Sequence, residues 1–272
     1  MQALVALANE KKASLVGAFF LVCSLLASCV QAEPPAASCA VPAGGETVYS
    51  RSVTDGDTLR LADGRRLRLA GINTPEIGRD GKASEPWAQA ARRELLALVD
   101  DEPLQLKVGA GPRDHYGRTL GYLFDSHGRS VEAQLLQAGL GYAIVIPPND
   151  ALAECYLAAE ADARQSRRGL WQSDPVQSVG RLENGGFQLL RGRVVAVTQT
   201  RPALWIDLDG PLTLRLERRD QAHFTALPDS SWAGRELEVR GWVVDRGEQQ
   251  NGFRRFMINL RHPAQIHPVS TH

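Results

Sequence analysis

The chain has 272 residues, 43% of them hydrophobic, and its 31 basic and 31 acidic side chains give a formal charge of zero. That length allows one large domain or two small ones, and the balanced charge excludes a generic polyanion binder that is basic over its whole surface. The balance is uneven along the chain: residues 46–174 hold 16 basic and 19 acidic side chains, and residues 175–272 hold 13 and 10. Every basic residue of the second segment is arginine, the side chain best shaped for bidentate phosphate contacts. A solvated surface in an Ala/Arg/Leu-rich chain is the equally good alternative.

Residues 1–32 read as an export signal. Lys11 and Lys12 supply a positive end, and the apolar run that follows is short and closes in small residues. This favours a cleaved signal over a retained transmembrane helix. "LASC" at Leu26 to Cys29 has the form of a lipoprotein cleavage box, in which Cys29 is lipidated and tethers the chain to a membrane; "VQA" at Val30 to Ala32 is the competing ordinary site. The expected location is therefore periplasmic or extracellular, or the envelope as a lipoprotein. Residues 33–45 are a Pro/Ala-rich tail. Removing the signal leaves Cys39 and Cys155 as a pair, which an oxidising compartment would allow to bridge. A bridge over so long a loop is worth about 4–5 kcal/mol in the chain-entropy model; the other reading is two free buried thiols.

Residues 48–72 read as three strands separated by Asp-Gly turns at Asp55-Gly56 and Asp63-Gly64, a strong hairpin signal. A polar loop over residues 77–83 leads to a helix with Ser84 as candidate cap and Pro86 in its first turn. Trp87, Ala91, Leu95 and Leu98 share its expected inner face. Strands follow at Leu104–Val108 and Arg118–Phe124, then a short helix at Val131–Ala138 ended by Gly139. The last helix of this part places Leu152, Cys155, Ala159 and Ala163 on one face, is stopped by Gly169, and has Trp171 packing over its end. Residues 46–174 thus form an α+β unit, a small barrel with helices packed on it. Over residues 180–268 five short strand candidates, with one helix-like piece between the third and fourth, suggest a second small barrel of the OB type. Its Arg191, Arg193, Arg215, Arg254 and Arg255 either line a nucleic-acid groove or serve structure alone.

The chemistry gathers where the third strand ends, in "RLRLAGINTPE", residues 66–76. Asp57 opens the second strand, Arg68 lies in the third, and Asn73, Thr74 and Glu76 crowd the corner behind Pro75, which has no amide hydrogen to aim into the site. Two acidic groups, an amide oxygen and a backbone carbonyl suit a hard cation such as Ca²⁺. No His/Cys spacing suits zinc. Two arginines, Arg68 and Arg118, together with a carboxylate base and a hard metal describe phosphodiester hydrolysis, whose transition state gains negative charge.

"VTDGDTLRL", "LRLAGINTPE", "DHYGRTLGYLF", "VEAQLLQAGLGYA" and "AEADARQSRRGLW", in this order, resemble the staphylococcal nuclease (thermonuclease) family over residues 48–172. The resemblance implies an OB-type five-stranded barrel with three helices and calcium-dependent cleavage of DNA and RNA with little sequence preference. It assigns Asp57 and the Thr74 carbonyl to the metal, Arg68 and Arg118 to the phosphate, and Glu76 to the base. Asn73 stands where well-known members carry a second metal aspartate, so the one Ca²⁺ site loses a charge and other divalent ions become admissible. Ile144 and Ile146 stand where those members place tyrosines against the nucleotide. Tyr116 remains as an aromatic contact for the substrate, and His115 replaces a lysine beside it, although it also reads as an ordinary exposed loop histidine. The competing functional readings are a catalytically weakened two-barrel nucleic-acid-binding protein of the cell envelope, and an envelope protein that makes only protein contacts.

Overall fold

The computed structural model describes Cys39, residues 44–247 and residues 253–269. The expected export signal, the cleavage alternatives at Cys29 and Ala32, and most of the tail lie outside the described residues.

The first part of the chain is a barrel. Its strands are β1 (Glu46–Val48), β2 (Ser50–Asp55), β3 (Thr58–Leu61) and β4 (Arg66–Leu69), followed by the two-residue β5 (Ile72–Asn73). Helix α1 (Ala88–Val99) comes next, then β6 (Leu104–Arg113), β7 (Thr119–Phe124), α2 (Val131–Gln137), β8 (Tyr142–Ala143) and α3 (Ala153–Gln165). The sheet order is β1-β6-β7-β4-β3-β2. Because β1 and β2 are one strand interrupted at Tyr49, pairing at both ends of the list closes a five-stranded barrel without free edges. Alternation of Leu59, Leu61, Leu67 and Leu69 with polar residues turns a leucine layer inward, as a period of two requires. Ala91, Leu95 and Val99 of α1 and Tyr156 and Ala159 of α3 seal the same core.

The second part is a barrel of the same order. After β9 (Gln177–Ser178) it consists of β10 (Gly186–Gln199), β11 (Ala203–Leu208), β12 (Leu212–Glu217), β13 (Glu236–Asp245), β14 (Phe256–Leu260) and the short β15 (Ile266–Pro268). β10 pairs with β11, β11 with β12, β12 with β14 and β14 with β13. β13 then returns to β10 over eight residue pairs, Gly186↔Val243 to Arg193↔Glu236, and closes the ring. A separate apolar core of Leu, Ile and Val side chains with Phe256 fills it. The α+β class with two OB-type barrels follows. The helix-like piece between the third and fourth strands is only a turn of 3₁₀ helix at Gln221–His223.

Three local expectations need correction. Helix α1 begins at Ala88, not near Ser84, because Trp87 takes a left-handed conformation (φ 71°) and cannot continue a helix backwards. The Ser84 hydroxyl instead accepts from the Gly78 amide at 3.2 Å, closing the preceding loop. Trp87 accordingly stands outside the apolar face at 37% exposure, and that face runs through Ala88, Ala91, Leu95 and Val99. Strand β6 continues five residues beyond Val108, to Arg113. The Asn149 amide takes the place of a neighbouring strand there, accepting from Gly111 N at 2.8 Å and donating to Gly111 O at 2.9 Å.

The two barrels pack directly on each other. Ala163, Trp171 and Leu189 form a small apolar cluster with Tyr142 and Phe187 at the junction. Beside it Arg240 of β13 donates to Glu160 of α3 at 2.6 Å, with both side chains buried. Arg164 grips Glu238 with two bonds of 2.7 and 2.9 Å. Cys39 is joined to Cys155 on α3 by a disulfide with a Cα–Cα distance of 5.7 Å.

Candidate active site

The corner after β4 is built around Arg68. This side chain points off the barrel and is almost entirely buried. One guanidinium nitrogen donates to the carbonyls of Leu69 and of Ile72, the latter at 2.7 Å. The other reaches the Asp57 carboxylate at 3.1 Å and the Asn73 amide oxygen at 3.2 Å. The arginine therefore pins the turn that β4 makes as it leaves the barrel. Gly71 permits that turn: it has φ +84°, and a Cβ there would lie 2.4 Å from the Tyr156 ring of α3.

Asp57 is buried at the start of β3. Its carboxylate accepts from Thr74 N at 2.9 Å and from the Thr58 hydroxyl at 3.0 Å, so the hairpin and the corner are fastened to each other through one side chain. Gly56 makes this approach possible, since a Cβ there would sit 2.7 Å from the Thr74 hydroxyl and 2.6 Å from Ala91 of α1. Thr58 also lies 3.5 Å from Arg118. Arg118 is held from behind by Asp114, whose carboxylate accepts from its Nε at 2.6 Å. Partial burial alone would raise the Asp114 carboxyl, but the hydrogen bonds from Arg118 and its charge outweigh this and hold it below the usual carboxylate range. The Arg118 guanidinium lies 5.4 Å over the Tyr116 ring, which stacks with His115 at 3.7 Å.

Glu76 is placed by its backbone: its amide donates to Glu85 at 2.9 Å, and its carbonyl accepts from Glu85 N at 2.9 Å. Desolvation and then the charge of Asp57 push its carboxyl up, while Arg68 pulls it down. Glu76 thus shares one electrostatic neighbourhood with Asp57 and Arg68, and the upward push makes its carboxylate more basic.

Asp55 also belongs to this cluster, although the sequence reading took it only as a turn residue. It is buried, accepts from Asp57 N at 3.3 Å, and is faced by Arg79 at 3.6 Å. Burial first, and then the Asp57 charge and hydrogen bond, raise its carboxyl to about 6. The available signal was the doublet Asp-Gly-Asp, which sets two carboxylates two residues apart at the mouth of one hairpin. Among the described residues no three His, Cys, Asp or Glu side chains converge as a metal cluster by themselves. The residues that could hold a cation are Asp57, Asn73, the Thr74 carbonyl and Asp55. They offer only oxygens, two of them from carboxylates, and such a donor set fits a hard divalent ion.

Arg68 and Arg118, with Asp114, also line a groove of about 600 Å³. Tyr116, Ile144 and Ile146 line it from the first barrel, and Trp242 and Arg261 from the second. The other arginines singled out in the second barrel are engaged within that barrel. Arg191 pairs with Glu238, Arg193 with the Gly234 carbonyl, Arg215 with Glu217, Arg254 with the Gly210 carbonyl, and Arg255 with Asp245.

The family model for staphylococcal nuclease homologues matches residues 66–173, which span the corner, Arg118 and all three helices. The thermonuclease of Staphylococcus intermedius is 30% identical over 131 residues, covering 47% of this chain and 77% of its own. An uncharacterized endonuclease of Escherichia coli O157:H7 is 32% identical over 129 residues, 46% of this chain and 76% of its own. Endonuclease YncB of Bacillus subtilis is 30% identical over 138 residues, 49% of this chain and 63% of its own. The family model's stretch holds Arg68, Asn73, Glu76 and Arg118, and the chain belongs to the staphylococcal nuclease family.

Proposed function

We propose that the protein is an exported endonuclease that hydrolyses phosphodiester bonds of DNA and RNA with a divalent cation, Ca²⁺ first among them. One observation carries the reading: Asp57 bonds at once to Arg68, Thr58 and Thr74 N beside Glu76, with Arg118 3.5 Å from Thr58. These contacts support a site in which two guanidinium groups serve the carboxylates at one mouth of the barrel. A phosphate lying on Arg68 and Arg118 would have its oxygens neutralised from two sides as charge develops. Glu76 would accept the proton of a water attacking phosphorus. The new P–O bond forms as the bond to the leaving sugar oxygen breaks, and that oxygen then takes a proton from solvent. Asp57, Asn73 and the Thr74 carbonyl, with Asp55 behind them, would hold the cation, which when bound adds Lewis-acid stabilisation of that charge. The Cys39–Cys155 disulfide supports an oxidising, exported location.

The test is cleavage of single-stranded DNA and RNA with Ca²⁺, with Mg²⁺, and with chelator. Glu76→Gln is expected to lower kcat by about 10²- to 10⁴-fold while DNA binding persists. Undiminished cleavage by that variant removes Glu76 from the chemistry. Salt-sensitive DNA binding without product in any divalent metal would instead identify a nucleic-acid-binding protein.

A further inference from the structure

The groove beside the two arginines is built by both barrels, and the second barrel adds an aromatic ring of its own, Trp242, to the Tyr116 of the first. On the first barrel the wall opposite Tyr116 is aliphatic, formed by the half-buried Ile144 and Ile146. An aliphatic wall offers a nucleobase no π-face. Trp242 of β13 lines the same groove and leaves 42% of its surface exposed. Its position is fixed by an aromatic series that crosses the junction. Its ring meets Phe187 edge-on at 5.1 Å, Phe187 meets Tyr142 at 5.5 Å, and Tyr142 meets Trp171 edge-on at 5.5 Å. Tyr142 is in turn the backbone partner of Asn73 at the corner. Arg261 stands nearby as a cation tied to the first barrel, donating to the Pro147 carbonyl at 2.9 Å. A large exposed ring held rigidly beside paired guanidinium groups is the arrangement that grips single-stranded nucleic acid, with arginines on the backbone and the ring under a base.

We propose that Trp242 is a base-stacking residue of the substrate groove, so that the second barrel completes the nucleotide site through Trp242 instead of serving as a separate appendage. The inference deepens the nuclease reading and rests on it. The substrate it specifies is a strand with an unpaired base next to the scissile phosphate. The base lies on the indole, and Arg68, Arg118 and Arg261 face the sugar–phosphate chain.

The experiment uses the full chain and three variants, Trp242→Phe, Trp242→Leu and Trp242→Ala. Its probes are a fluorescein-labelled oligothymidine and a backbone-matched abasic strand. Binding is followed by anisotropy in chelator, and cleavage by kcat and KM with Ca²⁺. The Leu and Ala variants are expected to bind oligothymidine roughly 5- to 100-fold more weakly, with KM raised in step and kcat within about twofold of wild type. The abasic strand should bind all four proteins alike. Trp242→Phe should recover most of the affinity, whereas a purely packing role against Phe187 would be rescued equally by Leu. Equal affinity of wild type and Trp242→Leu for oligothymidine overturns the proposal, whether or not the protein cleaves. Failure of wild type to cleave while still binding defeats the nuclease reading, and the anisotropy series then decides Trp242 separately.

Discussion

The two barrels share a strand order and differ in what they do with buried charge. In the first, Asp55, Asp57 and Arg68 are buried at the mouth where β2, β3 and β4 end. Their polar atoms converge from the hairpin and the corner. In the second, the buried charges include Glu238 and Arg240 in the middle of β13. They leave the barrel sideways and are answered by Arg164 and Glu160 of α3. One barrel gathers its buried charge at its mouth, where Arg68 and Arg79 face Asp57 and Asp55. The other spends its buried charge on docking, and its surface arginines are largely paired. A shared topology therefore says little about function, which follows from where the charges end up.

The largest expected effect tests the docking charges. Arg240→Ala leaves the buried Glu160 without its hydrogen-bonded cation. Burial already raises the Glu160 carboxyl, and Arg240 is the main influence lowering it again. Urea unfolding should show a loss of about 3–5 kcal/mol. The double variant Glu160→Gln/Arg240→Met should recover most of it, because a glutamine can still accept from Ala143 N as Glu160 does at 2.9 Å. If the single variant is as stable as wild type, the junction is not held by this pair.

The first barrel also contains a carboxylate that belongs to the fold and not to the site, and its titration separates the two uses. Glu132 is fully buried in α2 and accepts from Leu123 N at 3.0 Å and from the Ser130 hydroxyl at 2.9 Å. Burial, only partly offset by these bonds, raises its carboxyl from 4.5 to about 7. The native state therefore holds this proton more tightly than the unfolded chain. Stability from this group is fully present below about pH 4.5 and is lost as pH rises through about 7, a change of about 3 kcal/mol. Glu132→Gln should flatten that part of the profile between about pH 5 and pH 8. An unaltered slope would mean that Glu132 is ionised in the fold at little cost. A smaller effect, about 1 kcal/mol, is expected for Arg164→Ala, because this arginine is half exposed and Glu238 keeps Arg191 at 3.3 Å.

What could be read from the sequence divides along the same line. The Asp-Gly hairpins, the alternating leucines and the corner ending in Pro75 are local signals, and each produced the expected strand or turn. Arg68, Asp57, Asn73 and Thr74 meet because they flank two adjacent strand ends, and their closeness in sequence carries over into space. Arg240 looked like an ordinary strand arginine, since its burial depends on a helix 80 residues away. Trp242 was equally silent, because its exposure into the groove arises only after the barrels pack. The start of α1 was misplaced for a different reason: Ser84 and Pro86 fit a helix entry, but the left-handed Trp87 and the bond from Gly78 take the chain elsewhere. Asp55 was hidden behind its own turn signal.

The last prediction concerns Asn73, whose side chain brings a neutral amide to the corner. Its amide oxygen accepts from Arg68 at 3.2 Å, so it already points toward the guanidinium that bridges to Asp57. Asn73→Asp keeps the shape and adds a negative charge at that oxygen. Arg68 can pair with the new carboxylate in the same geometry, which limits the repulsion from Asp55 and Asp57. If the corner is the cation site, the added charge should tighten Ca²⁺ binding by about tenfold, equivalent to about 1.4 kcal/mol, as read by calorimetry, and should raise cleavage only where metal is limiting. A metal-binding isotherm identical to that of wild type would show that this amide is a partner of Arg68 alone and would move the ion to the Asp55 side of the hairpin. It would also narrow the contrast between the barrels, because the cation site of the first would then belong to the Asp-Gly-Asp hairpin and not to the corner.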